Sequence, residues 1–333
     1  MVAPRLSVAD RFCCPQSVRQ PDSREAPLAA TAPVRPLVSP AVRVKGDPTM
    51  NNVPFRRRSG RVAGTLLAVA LVAGFTAAPA TAARVPAPQV YIALGDSYAA
   101  GTGGGEYVDP PAGLPANCLQ TAAAYPALQG ASMNLGCFGA KTTDVINVAN
   151  GYSGVLATAT VVTVTVGGND VDSGQVALAC TVSASSPACS AALYNSLVVK
   201  LRELPTKIKA MVATIKDKAP NARIVLTGYP RLFTVSAGLT AAQAQAARSM
   251  NTAADLLNAT IAYSALVNRV RYVSVTERFS GHGIGSASPW IVAPAGLCNA
   301  TTNCSPSPVD AFHPTAAGYS GGYAAALASA RVP

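Results

Sequence analysis

Two side chains able to do nucleophilic chemistry stand far apart in the chain. They are Ser97, in Leu94-Gly95-Asp96-Ser97-Tyr98, and His313, in Asp310-Ala311-Phe312-His313-Pro314. A serine hydroxyl becomes a nucleophile when an imidazole takes its proton. An aspartate three residues before that imidazole can reach Nδ1 within one turn and fix the tautomer. The pattern predicts Ser97 as nucleophile, His313 as base and Asp310 as the group that orients the base. Acyl transfer at such a serine also needs donors for the oxyanion that develops on the substrate. Cys137-Phe138-Gly139-Ala140 and Val166-Gly167-Gly168-Asn169-Asp170 each follow a strand-like run, so the Gly139 N–H and the Asn169 side-chain amide are expected to converge with the Ser97 N–H. The second histidine, His282, has Glu277 five residues back as its nearest preceding carboxylate, and reads as loop or site wall.

These residues need a frame that brings them to one edge. Five apolar, β-branched runs recur at Gln89–Leu94, Ser132–Leu135, Thr160–Val166, Ala222–Thr227 and Arg271–Val275. Helical patterns fall between and after them at Ala122–Leu128, Thr143–Ala149, Ala191–Lys218, Thr240–Val267 and Thr315–Ala330. Strands alternating with helices predict an α/β fold, a parallel sheet covered on both faces. In open sheets of that kind ligands bind at the strand ends, where Ser97 would stand. Thr240 with Gln243 forms a capping box, and Pro220 follows the third helix. Val171–Ser190 and Gly281–Pro308 read as long loops able to wall a site.

The first 83 residues read differently. Met50 opens a second possible start, followed by Arg56, Arg57, Arg58 and Arg61, an apolar run Val62–Phe75 and Ala80-Thr81-Ala82-Ala83. This is the layout of a secretory signal peptide, with cleavage expected near Ala82 or Ala83. The apolar run falls short of the ~20 residues of a spanning helix, so no stable membrane anchor is expected after cleavage. Residues 1–49, rich in proline and arginine, read as a non-native or disordered extension, and residues 84–333 as one catalytic domain. Residues 1–83 carry 11 basic against 4 acidic residues and so most of the formal charge of +11, and the part from Arg84 carries 15 basic against 11 acidic residues. Nucleic-acid binding thereby loses its main support.

Six cysteines follow the leader, namely Cys118, Cys137, Cys180, Cys189, Cys298 and Cys304. An even number in an exported chain reads as disulfides. Sequence alone leaves the connectivity open, but nearest-neighbour pairing (Cys118–Cys137, Cys180–Cys189, Cys298–Cys304) would pin three surface loops. With no Cys-x-x-Cys here and two histidines in the chain, neither a metal nor another cofactor is called for.

Taken in order, Gly95-Asp96-Ser97-Tyr98, Gly139, Gly168-Asn169-Asp170 and Asp310-x-x-His313-Pro314 resemble the sequence blocks of the SGNH (GDSL-type) hydrolases. The resemblance runs from Gln89 to Tyr319 and is strongest to the secreted bacterial lipases and esterases of that family, which also carry local disulfides. It implies a three-layer α/β/α sandwich with a five-stranded parallel sheet of flavodoxin-like type. It also implies Ser97 as nucleophile and oxyanion donor, Gly139 and Asn169 as further donors, His313 as base and Asp310 as its orienter. The chain departs from the family pattern at Gly285, where a cysteine is usual, and at Phe138, where a small polar residue is commoner.

Other motifs lead elsewhere and are set aside. Gly318-Tyr319-Ser320-Gly321-Gly322 fits a nucleophile elbow, yet no histidine follows it. Gly139-Ala140-Lys141-Thr142 lacks the second glycine of a phosphate loop, and Gly103-Gly104-Gly105 does not complete a dinucleotide fingerprint. Trp290 suits an acyl groove or a buried aromatic equally. The expected function is a secreted, monomeric serine ester hydrolase acting on acyl esters, with lipid the favoured substrate. A carbohydrate acetyl-esterase and a non-catalytic binding protein on a hydrolase scaffold are the alternatives.

Overall fold

β-Branched and small apolar residues set the strands. They are Tyr91–Gly95 (β1), Tyr107–Val108 (β2), Gln120–Thr121 (β3), Met133–Gly136 (β4), Val161–Thr165 (β5), Arg223–Thr227 (β6) and Arg271–Val273 (β7). The computed structural model describes residues 89–332 apart from 183–184, 237–238 and 299–303. The extension 1–49, the leader 50–83 and its cleavage site lie outside the described residues. Five strands form one parallel sheet in the order β4-β1-β5-β6-β7, and β2 pairs antiparallel with β3 as a separate hairpin. The chain leaves β1 toward β4 and then returns across β1 to β5. The winding therefore reverses beside β1, and a crevice opens there at the carboxyl ends of the strands.

The helices are Ser97–Ala100 (α1), Tyr125–Leu128 (α2), Thr142–Gly151 (α3), Ser153–Leu156 (α4), Ser173–Val182 (α5), Pro187–Tyr194 (α6), Leu204–Lys218 (α7), Ala241–Val267 (α8) and Ala325–Ser329 (α9). Strand side chains alternate between two cores. Ile92, Leu94, Val162 and Val164 pack with Val145, Ile208, Met211 and Leu257 on one face. Tyr91, Ala93, Val161 and Val225 pack with Tyr319, Tyr323 and Leu327 on the other. Burial on both faces is why these strands read as continuous apolar runs. Where β5 presents Thr163 and Thr165 to the second core, their hydroxyls are paired with Tyr91 Oη and Tyr125 Oη, each at 2.9 Å. Buried hydroxyls left unpaired would be costly.

Two expectations are corrected. The helix expected over Ala191–Lys218 is broken: α6 runs into a wide-turn segment Asn195–Lys200, and α7 begins afresh at Leu204. Pro205 explains the restart, because proline fits the first turn of a helix and not its interior. The stretch Val171–Ser190, expected as loop, contains α5 and the start of α6. There Ser186 caps α6 by accepting the Cys189 N–H at 3.0 Å, and Pro187 opens the helix. The last helix widens over Gly318–Ala324, where Gly321 and Gly322 lie so close under Trp290 and Phe279 that a Cβ would collide. Among the described residues, no helix is long and apolar enough to cross a membrane.

Candidate active site

The serine is delivered by a turn that other residues would not fit. Gly95 closes β1 at φ 137°, and a Cβ there would lie 2.2 Å from the Thr165 carbonyl oxygen of neighbouring β5. The next N–H, of Asp96, donates to that same carbonyl at 2.8 Å. Asp96 then caps α1, its carboxylate accepting the Tyr98 N–H at 2.9 Å and the Tyr229 hydroxyl. The Tyr229 oxygen in turn accepts the Gly168 N–H at 3.1 Å, which ties the serine turn to the Gly-Gly-Asn-Asp loop. Burial pushes the Asp96 carboxyl up to about 7, outweighing the bonds it accepts. Ser97 is the first residue of α1, and no described acceptor takes its backbone N–H.

His313 Nε2 lies 2.7 Å from Ser97 Oγ. The segment that carries it pairs with the chain before it: Phe312 N–H donates to the Val292 carbonyl at 2.8 Å, and Val292 N–H to the His313 carbonyl at 2.9 Å. Burial pulls the imidazole down to about 4, opposed in part by the backbone carbonyls of Asp310 and Ala311 and by the Asp310 charge. The ring is therefore neutral near pH 7, the form a base requires.

Asp310 departs from its expected place. Its two carboxylate oxygens accept from the hydroxyls of Tyr107 and Ser305, and neither is bonded to the imidazole. Among the described residues, His313 Nδ1 is buried without a hydrogen-bond partner. The reason lies in the local backbone. Asp310 ends the single 3-10 turn Pro308–Asp310, and its carbonyl accepts the His313 N–H at 3.0 Å, so its main chain and not its side chain is bonded to His313.

The expected donors lie on two linked loops. No described acceptor takes the Gly139 N–H, at φ 77°. The Asn169 amide donates to the Ala140 carbonyl at 3.0 Å, which leaves its second N–H free to donate. Asp170 accepts both the Thr142 N–H, at 3.0 Å, and the Thr142 hydroxyl, at 2.6 Å, and so caps α3 from the neighbouring loop. That carboxylate fills the place a phosphate would take at a helix N-terminus. Cys118 and Cys137 are bonded, and the Phe138 N–H donates to the Cys118 carbonyl at 2.9 Å, which anchors the Gly139 loop from its other side. Cys180–Cys189 and Cys298–Cys304 are the other disulfides among the described residues.

Two hollows flank the serine turn. One, of about 80 Å³ and almost wholly apolar, is lined by Tyr98, Tyr229, Leu232, Met250 and Leu257. The other, of about 350 Å³, is lined by Leu114, Asn117, Phe138, Gly139 and Val145. Phe138 packs against the His313 ring at 5.8 Å between centroids and walls the site on that side. His282 stacks face to face on Trp290 at 3.7 Å, and its Nδ1 pairs with the Ser288 carbonyl at 2.7 Å. Both belong to the late loop, and Trp290 packs edge-on against Phe279. Ser320 is exposed, its hydroxyl bonded to the Ala317 carbonyl. Sequence reasoning passed over Tyr98, Tyr107, Tyr229, Thr142 and Ser305 as site residues. Only Tyr98 carried a signal, its place beside the serine.

Comparison with known proteins gives the family of the chain. The model of the GDSL-like lipase/acylhydrolase family matches residues 93–320. Lipase 1 of Streptomyces coelicolor is 32% identical over 276 residues, covering 80% of this chain and 97% of that protein. The extracellular lipase of Streptomyces rimosus has a similar structure, with TM-score 0.62, 29% identity, and coverage of 73% of this chain and 100% of that one. Phospholipase A1 of Streptomyces albidoflavus is similar too, with TM-score 0.61, 33% identity, and coverage of 72% and 98%. A match over most of the chain, with a shared fold along the full length of these relatives, places the protein: it belongs to the GDSL-like lipase/acylhydrolase family and is a carboxylic ester hydrolase.

Proposed function

We propose that the protein hydrolyses acyl esters of lipids through an acyl-enzyme on Ser97, and that it acts as an exported monomer. The observation that carries this reading is the 2.7 Å contact between Ser97 Oγ and His313 Nε2, beside the N–H groups of Ser97 and Gly139, which no described acceptor takes. His313 takes the hydroxyl proton as Oγ bonds the ester carbonyl carbon, and negative charge moves to the carbonyl oxygen. The N–H groups of Ser97 and Gly139 and the free N–H of Asn169 then receive that oxyanion. When the C–O bond to the alcohol breaks, the imidazolium returns its proton to the departing alkoxide. Water repeats the sequence on the acyl-enzyme and releases the acid. Asp310 contributes its charge behind the imidazolium. The lipid assignment draws on the lipase and phospholipase names of the relatives and on the apolar hollow beside Tyr98.

A fluorophosphonate probe on the purified chain tests the chemistry: the adduct should map to Ser97 and vanish in Ser97→Ala. A folded chain without an adduct would overturn the enzyme reading in favour of a binding protein. Nitrophenyl esters from acetyl to palmitoyl test the substrate, and turnover confined to acetyl would support the acetyl-esterase instead. Export predicts a secreted form that begins near Arg84, read by N-terminal sequencing, and sedimentation should give a single-chain mass.

A further inference from the structure

We infer that Tyr98 is a positioning residue for the base: its hydroxyl holds the peptide that precedes His313 and thereby sets the imidazole against Ser97. The inference rests on Ser97 and His313 acting as nucleophile and base. Tyr98 follows the nucleophile directly, and its hydroxyl reaches across 214 positions of sequence to donate to the Phe312 carbonyl at 2.6 Å.

The direction of a side chain is set by the two peptides that flank its Cα, and at His313 both are held. In the Phe312–His313 peptide, the N–H donates to the Asp310 carbonyl at 3.0 Å and the carbonyl accepts from Tyr98. In the His313–Pro314 peptide, the carbonyl accepts the Val292 N–H, and proline has no N–H to offer. Among these partners Tyr98 alone uses its side chain, and it alone comes from the strand-end turn that carries Ser97.

The held peptide needs holding. Phe312 sits at φ 66°, in the left-handed region that a bulky residue enters only when its surroundings impose it. The Phe312 carbonyl would lose that constraint, and its partner, without the phenol. The Tyr98 ring adds a wall, 5.2 Å from the imidazole and edge-on to Tyr229 at 5.0 Å, so the phenol itself has little freedom to turn away. At the other end, Tyr98 is fixed by its own N–H on the Asp96 carboxylate. Nucleophile and base are thus joined by a short path of one rigid ring and one hydrogen bond between the residues adjacent to each, besides the contact between themselves.

Tyr98→Phe keeps the ring and removes only the tether. With kcat normalised to titrated active sites, kcat should fall about ten-fold and KM should stay within two-fold. Fluorophosphonate labelling of Ser97, which needs the aligned pair but no substrate pocket, should slow by the same factor. Tyr323→Phe is the control, since it removes a similar phenol-to-carbonyl bond, 2.9 Å to Gly228, away from the base. It should lower the melting temperature and leave normalised kcat and labelling rate as they are. Normalised kcat and labelling rate within two-fold of the parent in Tyr98→Phe would overturn the inference, as would a loss expressed in KM alone. Ser97→Ala separates the two readings: if it keeps activity, the site assignment itself fails, whereas an inert Ser97→Ala beside a fully active Tyr98→Phe removes only the tether.

Discussion

The hydroxyl of Tyr107 donates to the carboxylate of Asp310, so the acid that stands three residues before the base is bonded to the β2–β3 hairpin and not to the imidazole of His313. Where a carboxylate does bind Nδ1, replacing it by its amide costs about 10⁴ in kcat, because the wrong tautomer is stabilised. Asp310→Asn should therefore lose no more than about ten-fold, against losses of about 10³ or more in Ser97→Ala and His313→Ala. Turnover of a short nitrophenyl ester measures all three. A loss near 10⁴ in Asp310→Asn would put its side chain on Nδ1 during the reaction.

That residue also marks where sequence reading stopped. Ser97 and His313 were legible because the chemistry demands those types and few others were available, and the sheet was legible because strands buried on both faces are apolar throughout. The carboxylate of Asp310 was misplaced because three-residue spacing gives reach without direction. Its direction depends on Tyr107 and Ser305, whose roles no local pattern announces. Pro205 was a visible breaker inside the helix expected over Ala191–Lys218, and it stands in the first turn of α7, where the helix starts afresh. The Asp170 grip on Thr142 joins positions 28 apart in sequence, and only the parallel sheet brings them together.

Two buried groups should make activity and stability respond to pH in a recognisable way. His313 titrates near 4 in the fold, so kcat/KM should rise with pH through about 4 and be flat by pH 6, where an unperturbed histidine would be half inactive near 6.5. Between pH 4 and 6.5 the unfolded chain binds a proton at this histidine that the native state refuses, so this term raises stability as pH rises. Asp96 runs the other way. Its carboxyl, near 7 in the fold, keeps a proton that the unfolded chain loses near 3.8, so its term lowers stability as pH rises across that window. The melting temperature of Asp96→Asn, taken as the difference from the parent, should increase from pH 4 to 7, and that of His313→Ala should decrease. A flat difference for either variant would remove that group from the account.

The proposed oxyanion donors invite a direct comparison. Asn169→Ala should lower kcat by about 10² to 10³ with little change in KM, the loss typical of one oxyanion donor. Gly139→Ala tests the backbone donor differently. A Cβ there would meet nothing within 4 Å, so the substitution introduces no clash and acts through the φ of 77°. A left-handed alanine costs about 1 kcal/mol, which should appear as a small fall in melting temperature together with a fall in kcat as the N–H turns away. Unchanged kcat in Gly139→Ala would mean that this N–H does not meet the oxyanion.

The Cys118–Cys137 bond should serve rate as well as stability, because it clamps the loop that presents Gly139. It closes a separation of 19 residues, against 9 for Cys180–Cys189 and 6 for Cys298–Cys304. Chain entropy gives the longest loop the largest contribution, about 3 kcal/mol, and the shorter ones less. The paired substitution Cys118→Ser with Cys137→Ser should therefore lower the denaturation midpoint most of the three. Each half of this bond also touches the donor loop directly: the Cys118 carbonyl accepts the Phe138 N–H, and the Cys137 carbonyl accepts the Ala140 N–H at 3.1 Å. Loss of kcat at temperatures well below melting is therefore expected for this pair and not for Cys298→Ser with Cys304→Ser. Equal kcat in the two paired variants, measured where both are folded, would show that the remaining hydrogen bonds of Phe138, Ala140 and Thr142 hold the donor loop on their own.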